Sequence, residues 1–310
     1  AGSVQAGFMS GSSGQRRDAV AADPLLTWLL AECRRQIAAG RRPLLGLNGP
    51  VGAGKTTLSR LLQQGCAEAG LQLAVASIDD AYWPWPERQR RLAGNPFGVS
   101  RVPPGSHDPA ALLDPIQRWR DCRSAPDQGP AALSLPRFDK RLRDGVGDRI
   151  ADWQGQADAV LLEGWLIGCR PLPEAAISTW QCSTALDDQA QAWLLRCNHA
   201  LEAYQPLWAA LDGLVMLWPS SWQSPRRWRL QAEARQRRSG GGWLSASALD
   251  QLIKASLESL PTELYQRPLL ESAAWVRVLD GRRRCTWQGS GDAWMEREAQ
   301  SSSPCSSATG

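Results

Sequence analysis

The chain has 310 residues, 43% of them hydrophobic and 21% charged, with a formal net charge of +4. That balance excludes a disordered, collagen-like or polyelectrolyte chain, and the length suffices to bury a large core without disulfide or metal staples. The basic excess is mild and both signs are spread along the chain, which argues against nucleic-acid binding, where charge clusters on one face.

Residues 1–20 are rich in Gly, Ser and Ala and are expected to form a disordered tail. The length allows two domains or one large α/β domain with insertions. The pattern favours one folded domain over 21–288, followed by a disordered, Ser-rich tail over 289–310. Within the domain, short apolar runs predict strands over 43–48, 72–79, 158–164, 213–218 and 275–279. Amphipathic spacing predicts helices over 24–39, 55–69, 109–121, 186–210, 226–238 and 246–259, with Thr184 and Asp187 as a capping pair for the long one. Near-continuous apolar strands alternating with helices imply a mainly parallel sheet covered on both faces, hence a three-layer α/β fold. Asp280-Gly281, after the last predicted strand, reads as a hairpin turn. The stretch 80–157 breaks the rhythm: it is rich in Pro, Gly, Arg and Asp, lacks sustained periodicity, and is expected to be an irregular, substrate-binding insertion.

Eight cysteines show no C-x-x-C pair, and with only His107 and His199 available a zinc site is not expected. Apolar-flanked positions such as Cys169 and Cys197 read as reduced core residues of a cytoplasmic protein. No apolar run reaches the ~18 residues of a membrane span, so no membrane association is expected.

Residues 49–56 read GPVGAGKT and match the phosphate-loop pattern G-x-x-x-x-G-K-[ST]. A predicted strand precedes the motif and a predicted helix succeeds it, the context the pattern requires. Backbone N–H groups of Gly49, Val51, Gly52, Ala53, Gly54, Lys55, Thr56 and Thr57 are expected to cradle a nucleotide's phosphates. Lys55 then reaches the β- and γ-phosphates, and the Thr56 hydroxyl is a ligand for Mg²⁺. ATP and Mg²⁺ are the cofactors this implies. In an open α/β sheet, ligands sit beyond the carboxyl ends of the strands. Asp79 and Asp80 close the second predicted strand there, and Glu163 closes the third. Phosphoryl transfer to a hydroxyl needs a carboxylate that accepts the proton and another that holds the metal. Asp79 is assigned the first role and Glu163 the second.

GLNGPVGAGKTTL, SIDDAY, PGSHD, LPRFDK and LLEGW occur in the order and approximate spacing of the D-glycerate 3-kinase family. That family belongs to the phosphoribulokinase, uridine kinase and pantothenate kinase group of P-loop kinases, and the chain resembles it over roughly residues 40–245. The resemblance implies a three-layer P-loop NTPase fold and ATP-dependent phosphorylation of D-glycerate to 3-phosphoglycerate, the last step of photorespiratory carbon recovery. It places the base on Asp79, the aspartate of the S-x-D motif. One departure is Ala81, where family members tend to carry an aromatic residue before the Tyr.

For a small anionic acceptor, Asp79, Tyr82, His107, Asp108, Arg137, Asp139 and Lys140 are the expected substrate residues, mixing cations for a carboxylate with acceptors for hydroxyls. The segment 220–245 is expected to be an Arg-rich lid, in which Arg229, Arg235 and Arg238 lie on a helix ahead of Gly240-Gly241-Gly242. Such a lid closes arginines over the transferring phosphoryl group and excludes water. Arg229 joins Asp79 and Lys55 as a catalytic residue because the resemblance includes WRLQ. Asn198 and Tyr204 are further candidates for the pocket wall. The competing readings are a uridine- or pantothenate-type kinase of the same group and a nucleotide-gated P-loop binding protein.

Overall fold

A six-stranded sheet runs through the protein in the order β2-β5-β1-β6-β7-β8. The computed structural model describes residues 23–122, 129–184, 186–238 and 245–302. The strands are β1 (Leu44–Asn48), β2 (Leu73–Ser77), β5 (Ala159–Gly164), β6 (Gly213–Pro219), β7 (Trp275–Leu279) and β8 (Cys285–Gly289). Every pairing is parallel except β7 with β8. β1 and β5 are buried along their whole length. Their side chains alternate between two cores: Leu44, Val160 and Leu162 enter one, while Leu45, Leu47 and Leu161 enter the other. A strand that must be apolar on both sides shows no period of two, which explains the continuous runs in the sequence.

Helices α1 (Pro24–Ala38) and α2 (Lys55–Glu68) cover the second core through Leu25, Leu29, Leu58 and Leu62. Asp23 caps α1 by accepting from Leu25 N–H at 3.0 Å. The opposite face is covered by α4 (Ala110–Asp121), which inserts Leu112, Ile116 and Trp119. The three layers expected from the sequence are therefore present, and the five predicted strands match within one or two residues.

The insertion is more ordered than its composition suggests. A 3₁₀ turn (Ile78–Ala81) leads into the stretch read as irregular, and α3 (Trp85–Arg91) and an antiparallel hairpin, β3 (Ala131–Asp139) with β4 (Asp148–Ala157), lie inside it. Pro136 sits at the register shift between Leu135 and Arg137, where a residue without N–H cannot continue the ladder. β4 is largely half-exposed or exposed, so its sequence carries little apolar signal.

The predicted helix over 186–210 is broken. It runs as α6 (Asp188–Ala200), a 3₁₀ turn (Leu201–Tyr204) and α7 (Gln205–Ala209), with Pro206 in the first turn of α7. Proline lacks the N–H that a continuous helix needs, and its ring clashes one turn back. Asp187 caps α6, whereas Thr184 Oγ1 donates to Trp180 O at 2.9 Å in α5 (Glu174–Cys182), so the two do not form a capping pair. After α8 (Ser224–Arg238) and α9 (Ala246–Ser259) come two single turns, α10 (Thr262–Tyr265) and α11 (Leu269–Ser272). Gly291–Ser302 forms a terminal helix, α12, where a disordered tail was expected. Trp294 of α12 packs on Trp287 with ring centroids 5.0 Å apart, which ties the helix to β8. The expected tail over 1–20 and the glycines 240–242 lie outside the described residues.

Cys33, Cys66, Cys169 and Cys197 are buried free thiols, while Cys122, Cys182 and Cys285 are exposed. Among the described residues, no helix is long and apolar enough to cross a membrane.

Candidate active site

The register of the sheet assembles the site. Ser77 of β2 and Leu47 of β1 both pair with Glu163 of β5, so three strand ends lie in one row. The segments leaving these strands emerge at the same edge: the phosphate loop after β1, Asp79 after β2, and Gly164 and Trp165 after β5. A cavity of about 340 Å³ opens there.

The phosphate loop takes the shape its glycines permit. Gly52 and Gly54 have φ of +84° and +92°, a region costly for residues with a Cβ. A Cβ on Gly52 would stand 2.7 Å from the backbone nitrogen of Arg229, so α8 rests directly on the loop. Helix α2 starts at Gly54 with no side chain capping its first N–H groups, which leaves an electropositive helix end at the cavity. Lys55 Nζ donates to Gly49 O at 2.8 Å and Pro50 O at 3.2 Å. Burial pushes its pKa down, against the nearby charges of Glu163 and Asp79. Thr56 Oγ1 donates to Glu163 Oε1 at 3.0 Å. A hydroxyl and a carboxylate are thus adjacent at the point where a phosphate-bound cation needs oxygen ligands. Among the described residues no group of three His, Cys, Asp or Glu side chains forms a self-sufficient metal site.

Asp79 faces the loop across the cavity. Its Oδ2 accepts from Lys140 Nζ at 2.6 Å. Burial alone would raise its pKa, but the Lys140 charge and the His107 imidazole hold it well below the usual carboxylate range. Asp80 turns the other way, where Oδ1 accepts from Phe138 N–H at 3.2 Å and Oδ2 lies 3.7 Å from Arg137 Nη1. Asp80 therefore pins the end of β3 and delivers Lys140 to Asp79. Tyr82 is buried, stacks on His107 with centroids 4.4 Å apart, and also lines the cavity.

Of the residues expected from the sequence, the cavity wall gathers Val51, Gly52, Gly54, Lys55, Thr56, Thr57, Asp79, Tyr82, Lys140, Glu163 and Arg229. His107 lies behind Asp79, with Nε2 3.7 Å from Oδ1. Gly49 and Ala53 belong to the loop's own framework. Asp108, Arg137 and Asp139 are not brought to the cavity: Asp108 N–H donates to Ala81 O, Arg137 faces Asp80, and Asp139 is held by Arg141. Asn198 is structural, since it bonds both backbone groups of Leu172.

Sequence reasoning missed Arg101, Trp165 and Arg283, all on the wall. Arg101 stands in no motif and is held by donating to Gly145 O at 2.6 Å. Trp165 and Arg283 come after the carboxyl ends of β5 and β7, a position that itself was a usable signal. Arg283 donates to Gly52 O at 3.2 Å and to Gln231 Oε1 at 2.9 Å. With Arg235 it also lines a neighbouring cavity of about 650 Å³ walled by Arg227 and the 280–284 turn.

The chain is 30% identical over 203 residues to a Schizosaccharomyces pombe protein named uncharacterized kinase mug58, covering 63% of this chain and 71% of that one. It is 28% identical over 238 residues to the chloroplastic D-glycerate 3-kinase of Arabidopsis thaliana, covering 73% of this chain. The chain belongs to the same kinase family as the Schizosaccharomyces pombe protein and is similar in sequence to D-glycerate 3-kinase. It is accordingly a small-molecule kinase. The aligned part spans only 49% of the Arabidopsis protein. The solved structure of the Cryptococcus neoformans D-glycerate 3-kinase superposes with a TM-score of 0.72 at 23% identity, covering 87% of this chain and 100% of that one, and shares the family fold. No family model matches the chain.

Proposed function

We propose that the protein transfers the γ-phosphoryl group of ATP to D-glycerate, giving 3-phosphoglycerate and ADP. The observation that carries this reading is the pairing of Asp79 with Lys140 on the cavity that also holds the phosphate loop. The acceptor's hydroxyl oxygen attacks the γ-phosphorus and its proton passes to Asp79. The bond from phosphorus to the bridging oxygen then breaks and ADP leaves. A carboxylate acceptor suits the wall because Lys140 and Arg101 offer it cations. Arg229 and Arg235 supply positive charge to the transferring phosphoryl group.

Thr56 and Glu163 are the residues that would hold Mg²⁺, their oxygens being the hard ligands this ion takes while nucleotide phosphates complete its shell. Bound there, the ion neutralises charge on the β- and γ-phosphates.

The test is ADP release from ATP with D-glycerate, L-glycerate, uridine or pantothenate, with the phosphorylated product identified. Stimulation by D-glycerate with 3-phosphoglycerate as product is expected. Turnover with uridine or pantothenate alone would replace the acceptor, and ADP release indifferent to every acceptor would point to a nucleotide-gated switch.

A further inference from the structure

His107 is a buried titratable group that the proposed transfer does not use. Its side chain is wholly buried, and Nε2 has no hydrogen-bond partner. The other ring nitrogen has a hydroxyl partner within hydrogen-bond distance. Gly105 N–H donates to Tyr204 Oη at 3.0 Å, so the hydroxyl's own proton is free to point at His107 Nδ1, 2.8 Å away. Ser106 Oγ does not compete for that role, because it donates to Pro103 O at 2.6 Å. Burial holds the imidazole neutral by pushing its pKa down. A neutral ring that accepts at Nδ1 carries its proton on Nε2. That N–H faces Asp79 Oδ1 at 3.7 Å, while Lys140 holds Oδ2 at 2.6 Å.

The two partners of Asp79 differ in freedom. Lys140 is about half exposed (52%) on the turn after β3, so it can leave Asp79 for an acceptor's carboxylate. His107 cannot move: it bridges Tyr82 as an isolated β pair, stacks on the Tyr82 ring and is fixed edge-on by Tyr204. Once Lys140 leaves, a small rotation of Asp79 closes the gap to Nε2–H, and the two carboxylate oxygens become unequal.

We propose that His107 is a positioning residue for Asp79: Tyr204 fixes its tautomer, its Nε2–H holds Oδ1, and Oδ2 is the oxygen that takes the acceptor's proton. The proposal rests on Asp79 being the base. Its oxygen assignment balances simply, since one proton moves from the acceptor hydroxyl to Oδ2 while the Nε2–H bond stays intact. The other groups facing Asp79 are Lys140 and the Tyr82 hydroxyl, with Lys55 across the cavity.

The experiment compares His107→Leu, His107→Gln and Tyr204→Phe for kcat, KM for ATP and the acid limb of the kcat profile. His107→Leu is expected to lower kcat by ~10- to 100-fold, the usual effect of removing an orienting partner. KM for ATP should stay unchanged and the acid limb should move to higher pH. His107→Gln, whose amide nitrogen reaches the Nε2 position, should recover most of the lost kcat and return the limb. Tyr204→Phe should act in the direction of His107→Leu by freeing the tautomer, and it decides the matter if His107→Leu does not fold. An unmoved acid limb in His107→Leu and Tyr204→Phe, or equal losses in the Leu and Gln variants, would overturn the proposal. If Asp79→Asn keeps the wild-type rate, the base assignment itself fails, an outcome distinct from failure of the positioning role.

Discussion

Thr56 and Glu163 stand 107 positions apart in sequence and are joined by one hydrogen bond of 3.0 Å. The bond links the first turn of α2 to the end of β5, and it forms because β1 and β5 are parallel neighbours in register. Replacing Glu163 by Gln keeps an acceptor for the Thr56 hydroxyl but removes the charge. We expect kcat/KM to fall by ~10- to 100-fold, with part of the loss recovered at high Mg²⁺, while thermal unfolding shifts little. A Mg²⁺ titration of the variant checks this, and an unchanged Mg²⁺ requirement would remove Glu163 from the metal site.

The two left-handed glycines of the phosphate loop should respond differently to alanine. At Gly54 a Cβ meets nothing within 4 Å, so only the backbone conformation is penalised, by ~1–2 kcal/mol. At Gly52 the same penalty is joined by a 2.7 Å approach to the Arg229 nitrogen. Gly52→Ala should therefore lose more stability than Gly54→Ala and should push α8 off the loop, raising KM for ATP. Denaturant unfolding of both variants gives the comparison.

Lys140 supplies the largest opposing charge that keeps Asp79 ionised despite burial. A carboxylate whose folded pKa is depressed stabilises the fold above its unfolded value, near ~3.9, and loses that contribution as pH falls through the folded value. With Lys140→Met, the Asp79 pKa should rise and both the acid limb of activity and the onset of acid unfolding should move to higher pH. KM for the acceptor should rise by at least ~10-fold, since a charge-assisted contact is lost, while KM for ATP holds. Steady-state kinetics across pH separates these effects.

Arg88 is fully buried, and its guanidinium donates to the carbonyls of Trp83, Ser100, Val146 and Gly147. It also lies over the rings of Tyr82, Trp85 and Phe138. One side chain thus stitches together the segments that carry Tyr82, Arg101 and the β3–β4 turn. Arg88→Leu leaves the carbonyls of Trp83, Ser100 and Gly147 without that donor, while Val146 O keeps Arg101 Nη1 at 3.3 Å. At ~1 kcal/mol or more each, with the lost ring contacts, the variant should destabilise the protein by ~3–5 kcal/mol. Calorimetry on the variant checks the figure.

The parts legible in sequence share one property: their signal is local. The phosphate loop spells its conformation in consecutive residues, and β1 and β5 announce burial on both faces through unbroken apolar runs. Asp79 and Glu163 are readable from strand ends. The β3–β4 hairpin did not announce itself, because β4 faces solvent for much of its length and Pro136 interrupts its partner. Arg101 reaches the cavity only because the carbonyl of Gly145, 44 positions later, holds its guanidinium, a dependence no single stretch records. Arg137 and Asp139 have the right chemistry for a carboxylate site, yet β3 turns them toward Asp80 and Arg141 and gives the cavity Lys140 instead.

The proposed transfer requires Asp79 to accept the acceptor's proton across from the phosphate loop. That requirement is tested most directly by rapid-quench measurement of one turnover in Asp79→Asn, alongside ATP binding by calorimetry. The amide keeps shape and removes basicity, so we expect the transfer step to slow by ~100-fold or more with ATP affinity nearly unchanged. Transfer at the wild-type rate would contradict the account.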